Sequence, residues 1–264
     1  MNNLPRITLA FWIMKVCATT LGETAGDLLS MTLEIGYALS SLVLFGAFVM
    51  TLMAQLSTRK HHPLVFWMVV LSTSTMGTTL SDFMDRTLGM GYASGSVLLV
   101  AILLFVFALW YFTEGTLSVN SVRSRRSQLF YWCAILVSNT LGTALGDFLA
   151  DDSGLGFAGG AAVIASALLV IVVLHYKSRL SSVLLFWMAF VLTRPFGATL
   201  GDVLTKAPEQ GGLGFGTVGA SALLFTVLMV SVVIATHVIR SRRLEREKAL
   251  TAASACMGHP AKAA

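Results

Sequence analysis

Polar and apolar positions along this chain alternate on the scale of whole helices. Apolar runs of about 20 residues lie near 7–31, 35–56, 64–85, 91–112, 129–150, 156–176, 183–205 and 214–238, separated by short polar or glycine-containing turns. A helix of about 20 residues crosses a hydrocarbon core of roughly 30 Å. Lipid also forces each such run to satisfy its own backbone groups, which a helix does. The pattern predicts an all-α integral membrane protein with eight transmembrane helices. The short alternating segments of an outer-membrane barrel do not occur in it.

The eight runs are four copies of one helical hairpin. An aromatic-Trp pair opens each copy: Phe11-Trp12, Phe66-Trp67, Tyr131-Trp132 and Phe186-Trp187. A Gly-x-x-x-[Gly/Ser]-Asp stretch follows, ending at Asp27, Asp82, Asp147 and Asp202. A second glycine before an aromatic residue then starts the return helix, at Gly36-Tyr37, Gly91-Tyr92, Gly156-Phe157 and Gly214-Phe215. The tryptophans are 55, 65 and 55 residues apart, so copies one and three, and copies two and four, are offset by 120. That spacing predicts a two-hairpin unit that was itself duplicated. The repeats occupy about 6–60, 61–125, 126–180 and 181–240 of a single membrane domain spanning 1–240, and 241–264 reads as a basic, disordered cytoplasmic tail.

Charge sets the orientation. Basic groups follow every even run (Arg59-Lys60, Arg123 to Arg126, Lys177-Arg179, Arg240 to Arg243), whereas the opposite turns carry Glu34, Asp85, Asp151-Asp152 and Glu209. The positive-inside rule then places both termini in the cytoplasm. Composition agrees: 56% of residues are hydrophobic and 12% charged, against about 25% charged in soluble domains. The net charge of +5 lies in the loops and is no nucleic-acid signal. Three cysteines and five scattered histidines form neither a disulfide framework nor a metal-ligand spacing.

Because whole hairpins repeat, the odd helices share one direction, and clustering them would bring their aspartates together. Asp82 lies 22 residues past Lys60 and Asp147 21 past Arg126. At 1.5 Å per residue, that is about 30 Å, the outer edge of the hydrocarbon. Asp is a preferred N-cap, so each could simply cap an outer turn. Small residues five and one before the aspartate predict close helix approach. Glu23, four residues before Asp27, predicts two carboxylates on one helix face. Such a pair calls for a cation or a raised proton affinity, and oxygen donors suit Mn²⁺, Mg²⁺ or Ca²⁺. Lys15 and Arg194 are charges within apolar runs and so are candidate site residues. Lys15 is too far along its helix to bond Asp27, so its partner is expected to be Glu23 or an acid on another helix. Arg194 precedes Pro195, which favours a kink. The aromatic-Trp pairs are expected to anchor helix ends at the cytoplasmic interface.

The four F-W…G-x-x-x-[GS]-D…G-[YF] blocks resemble a family of bacterial multi-pass, membrane-anchored proteins without a characterised activity, over residues 6 to 240. That resemblance implies eight helices in the inner membrane of a bacterial cell. Glu23-Thr24-Ala25-Gly26-Asp27 is also similar to the E-x-G-D motif of calcium/manganese cation–proton exchangers, with one extra residue between the acid and the Gly-Asp and no Lys/Arg-Thr/Ser after it.

These features predict a secondary transporter of a divalent, Mn²⁺-like cation in exchange for protons. Glu23, Asp27, Asp82, Asp147 and Asp202 would form its site, the first four as metal ligands, with Lys15 and Arg194 tuning it. The cation is substrate, and no resident cofactor is expected. The alternatives are a transporter of a small organic or anionic solute held by Lys15 and Arg194, and a scaffold whose Gly-Asp turns are structural. No nucleophile–base pair points to an enzyme. The expected partners are the bilayer, the transported ion or solute and further copies of the chain, with no nucleic acid.

Overall fold

The computed structural model of the protein describes residues 7–58, 62–122 and 124–257, with side chains of the final helix described to Ser241 and at Glu245. Its helices are α1 (Leu9–Asp27), α2 (Tyr37–Ser57), α3 (Pro63–Asp82), α4 (Tyr92–Glu114), α5 (Arg125–Asp147), α6 (Gly156–Lys177), α7 (Ser182–Thr205) and α8 (Gly216–Met257). Among the described residues there is no strand. The seven helices α2 to α8 are long and apolar enough to cross a membrane. The remaining helix, α1, carries Lys15, Glu23 and Asp27 within its length. The last helix continues to Met257; residues 258–264, at the end of the expected disordered tail, lie outside the described residues.

Local sequence explains where these helices begin. Thr8 accepts a hydrogen bond from Phe11 N at 3.3 Å to open α1, Pro63 occupies the first turn of α3, and Ser124 with Ser127 forms a reciprocal cap on α5. The recurring glycine before each return helix has a conformational reason. Gly36 and Gly91 enter α2 and α4 at φ 82° and 74°, a region that side-chain-bearing residues avoid.

The odd helices form a closed ring: α1 packs on α3, α3 on α5, α5 on α7, and α7 back on α1. Each even helix stands outside and packs chiefly on the odd helix of the next repeat, α2 on α3, α4 on α5, α6 on α7, and α8 on α1. Ring closure is thus made twice, once by the inner helices and once by the last outer helix on the first inner one. The first glycine of each motif makes the same contact every time. A Cβ built on Gly22 would lie 2.3 Å from Ser74 Oγ, on Gly77 2.9 Å from the Asn139 backbone, on Gly142 2.2 Å from Arg194 Cγ, and on Gly197 2.4 Å from Thr19 Oγ1. One small residue per repeat therefore receives the next helix, as in small-xxx-small packing.

The aromatic-Trp pairs correct an expectation. They do not face outward as interfacial anchors but link the repeats in a second cycle. Phe11 lies 5.7 Å from Trp67, Phe66 5.7 Å from Trp132, Tyr131 6.1 Å from Trp187, and Phe186 5.8 Å from Trp12. Only Trp12 and Phe186, where the last repeat meets the first, are half-buried; the other six rings are buried. Adjacent positions on a helix point about 100° apart, so each pair presents one ring to either neighbour in the ring. The polar edge of Trp187 is satisfied inside the protein, where Nε1 donates to Leu117 O at 3.0 Å.

Candidate functional site

A ring of equivalent helices lines its axis with layers of equivalent residues. Three positions after each tryptophan, the layer consists of Lys15, Val70, Ile135 and Phe190. Lys15 is 1% exposed, and its Nζ stands 4.2 Å from the centre of the Phe190 ring. Among the described residues, Nζ has no hydrogen-bond partner. Among the described residues Lys15 thus has no acidic partner, and Glu23 pairs with Arg194 instead.

One turn further along, the layer is Thr19, Ser74, Asn139 and Arg194, and above it Glu23, Thr78, Thr143 and Ala198. Arg194 is fully buried. Its Nη1 lies 3.0 Å from Glu23 Oε2 and donates to Thr19 O at 3.3 Å. Its Nη2 donates to Thr78 Oγ1 at 2.5 Å, Thr143 Oγ1 at 2.8 Å and Ser74 O at 3.2 Å. Glu23 Oε2 also accepts from Thr78 and Thr143 at 3.1 and 3.3 Å. One guanidinium thus touches all three other repeats. The side chains around it explain how it fits. Ala198 stands four residues after Arg194 on the same face of α7, and Gly142 on α5 leaves space for the Arg194 stem. Pro195 lies inside α7, which continues past it to Thr205.

The four aspartates form the next layer and all are buried. Asp27, Asp82 and Asp147 each lead into a π-helical turn (Leu28–Thr32, Phe83–Thr87 and Phe148–Asp152) and make no side-chain capping bond there. The capping reading of these aspartates is therefore set aside. Such turns recur at functional sites. Two cations bridge the aspartates in pairs. Arg86 Nε lies 3.1 Å from Asp82 Oδ1, and its Nη2 3.4 Å from Asp147 Oδ2. Lys206 Nζ lies 3.4 Å from Asp202 Oδ1 and 3.8 Å from Asp27 Oδ2. Burial works against the Lys206 ammonium, but Asp202 and Asp27 outweigh it and hold its pKa above the ordinary lysine value.

All seven predicted site residues are buried. The structure groups the predicted metal ligands differently, however. One carboxylate oxygen from each of Glu23, Asp147 and Asp202 lies within 4.8 Å of the other two. Asp27 and Asp82 fall outside that triplet. The neighbouring acids are also sorted: Asp151 is exposed, and Asp85 turns aside to accept from Ser81 Oγ at 3.2 Å, in space that Gly95 leaves open. Sequence reasoning left Arg86 and Lys206 out of the site. Their signal was present, since each stands four residues after its aspartate and the two are 120 residues apart. Five carboxylates on the axis (Glu23 and the four aspartates) meet three paired cations, Arg194, Arg86 and Lys206.

A closed ring of four helical hairpins around a buried, charged axis is the class that this fold and site define. The chain belongs to the family of the DUF347 repeat, a repeat of unknown function, which matches residues 10–61, 65–116, 130–181 and 185–241. Each match covers one inner helix and the outer helix that follows it. No curated protein and no solved structure matches the chain. The likeness to cation/proton exchangers has no support beyond the local Gly-Asp chemistry.

Proposed function

We propose that this protein is a secondary transporter of the bacterial inner membrane that moves a divalent, Mn²⁺-like cation in exchange for protons. The observation that carries the reading is the buried triplet of Glu23, Asp147 and Asp202. Three carboxylates this close repel one another; Arg194, Arg86 and Lys206 each neutralise one of them, and an entering cation or protons would exchange with those partners. Oxygen-only donors suit hard divalent ions. Protons and metal would then compete for the same oxygens, which is the requirement for exchange.

The membrane setting is part of the same proposal. The outer helices expose broad apolar faces, with Leu42 and Met50 on α2, Phe105 and Phe112 on α4, and Leu169 and Tyr176 on α6 more than half exposed. Surfaces of this extent are stable against lipid rather than water. All eight helices cross the bilayer, α1 included, because its charges face the ring axis and not the hydrocarbon. The basic loops put both termini in the cytoplasm and the aspartate layer toward the extracytoplasmic face.

The unpartnered Lys15 favours the second reading, a transporter of a small anionic solute. Against it, the other anchor of that site is already engaged by Glu23 and by hydroxyl and carbonyl groups of three repeats. The cation reading is tested by equilibrium Mn²⁺ binding to the purified protein. Asp147→Asn and Asp202→Asn are each expected to weaken binding while the protein still accumulates and melts as a folded species. A wild-type protein that binds no divalent cation contradicts the proposal, and variants that fail to fold point to a scaffold.

A further inference from the structure

The two cations bridging the aspartates have a role that packing alone does not require. We infer that Arg86 and Lys206 are tethered competitors of the transported cation, which set the charge the carboxylate layer will accept and yield when a free ion enters. This rests on the cation reading above.

Four observations carry it. Each cation spans aspartates from two neighbouring repeats, Arg86 joining α3 to α5 and Lys206 joining α7 to α1. The two residues are related by the 120-residue duplication, whereas the same position in the other repeats is Met31 and Asp151. Their side chains are 34% and 24% exposed while their partner carboxylates are buried. They therefore stand on the solvent side of the layer and cover it. Finally, three paired cations face five carboxylates, so the layer is short of paired positive charge, and each tether lost makes it more negative.

The two tethers are unequal. Arg86 holds its carboxylates at 3.1 and 3.4 Å and also lies 5.8 Å from the Tyr92 ring and 3.5 Å from Tyr37 Oη. Lys206 holds its pair at 3.4 and 3.8 Å with a single ammonium. A guanidinium fork is the more firmly held of the two. Lys206 is thus the tether that yields first, and it sits beside Asp202, a member of the carboxylate triplet. The cation enters on the side of α7 and α1.

The test is equilibrium binding of Mn²⁺ and of Tb³⁺ to the full-length protein in detergent, for wild type, Lys206→Gln and Lys177→Gln. Removing the Lys206 charge is expected to tighten Mn²⁺ binding by about ten-fold or more and to admit Tb³⁺, while Lys177→Gln, which removes the same charge from the exposed far end of α6, binds as wild type. A Lys206→Gln protein with Mn²⁺ affinity equal to or weaker than wild type overturns the inference. A second readout needs no metal binding: the rate at which a water-soluble carbodiimide with a small amine labels Asp27 and Asp202, measured by mass spectrometry. Loss of the tether is expected to speed labelling several-fold, and unchanged rates overturn the inference. If wild type binds no Mn²⁺, the cation reading falls and the inference with it; if wild type binds Mn²⁺ but Lys206→Gln neither tightens binding nor speeds labelling, only the inference falls.

Discussion

Arg194 of the last repeat and Glu23 of the first form a buried ion pair at 3.0 Å on the axis of the ring. The pair joins the two ends of the chain across the seam where α7 meets α1. Truncating one partner leaves the other as an uncompensated buried charge, a loss of about 3–5 kcal/mol. Arg194→Met is therefore expected to lower the melting temperature sharply. The double variant Arg194→Met with Glu23→Gln should recover much of the loss. Thermal unfolding in detergent checks both, and a double variant as unstable as the single one would show that the pair is not what stabilises the seam.

The ring contacts make glycine substitutions position-specific. A methyl group on Gly77 would meet the Asn139 backbone at 2.9 Å, which no side-chain rotation can relieve. Overpacking of this kind costs about 1–3 kcal/mol. Gly46, on the outer face of α2, has nothing within 4 Å of its added methyl, and Ala there should be neutral or stabilising by up to about 1 kcal/mol. Gly77→Ala and Gly46→Ala are expected to shift the melting temperature in different directions. Equal effects would argue against the ring register.

Lys15 is predicted to be a liability for stability. Its amine is buried over an aromatic face without a hydrogen-bond acceptor, so Lys15→Met removes a desolvation cost at similar volume. The melting temperature should rise. A fall would mean that Lys15 holds a partner in the native membrane, and would revive the anionic-solute reading.

The aromatic cycle yields a contrast within one residue type. Trp132 is buried against Phe66 and Tyr131, and Trp132→Ala is expected to cost about 3–5 kcal/mol. Trp12, half-buried at the seam, should cost less. The ranking is read from the same melting curves, and equal small losses would restore the role of interfacial anchors.

Much of this architecture was legible before any coordinates. Hairpin lengths, the 120-residue offset and the small residues before each aspartate specify four hairpins with parallel odd helices able to approach closely; a linear array of hairpins fits the same pattern, and the ring contacts decide between them. The aromatic belt was misread because position along a helix is visible in sequence, but which neighbour a ring meets depends on ring closure. For the same reason, the sequence pairs Lys15 with Glu23 or an acid on another helix, whereas Glu23 meets Arg194. The pairing with Arg194 needs a small Ala198 above it and the open side of Gly142 beside it, on two different helices. Arg86 and Lys206 were visible as the bases of the acidic turns, yet their bridging exists only once neighbouring repeats stand side by side.

The central claim is that the carboxylates of the axis carry a divalent cation against protons. Its most direct test is Mn²⁺ flux in proteoliposomes with an internal pH indicator, for wild type and Asp202→Asn. Wild-type vesicles are expected to show Mn²⁺ movement coupled to opposite proton movement, driven by an imposed pH gradient and lost in Asp202→Asn vesicles holding equal amounts of folded protein. Wild-type vesicles that move neither ion above protein-free controls would contradict it.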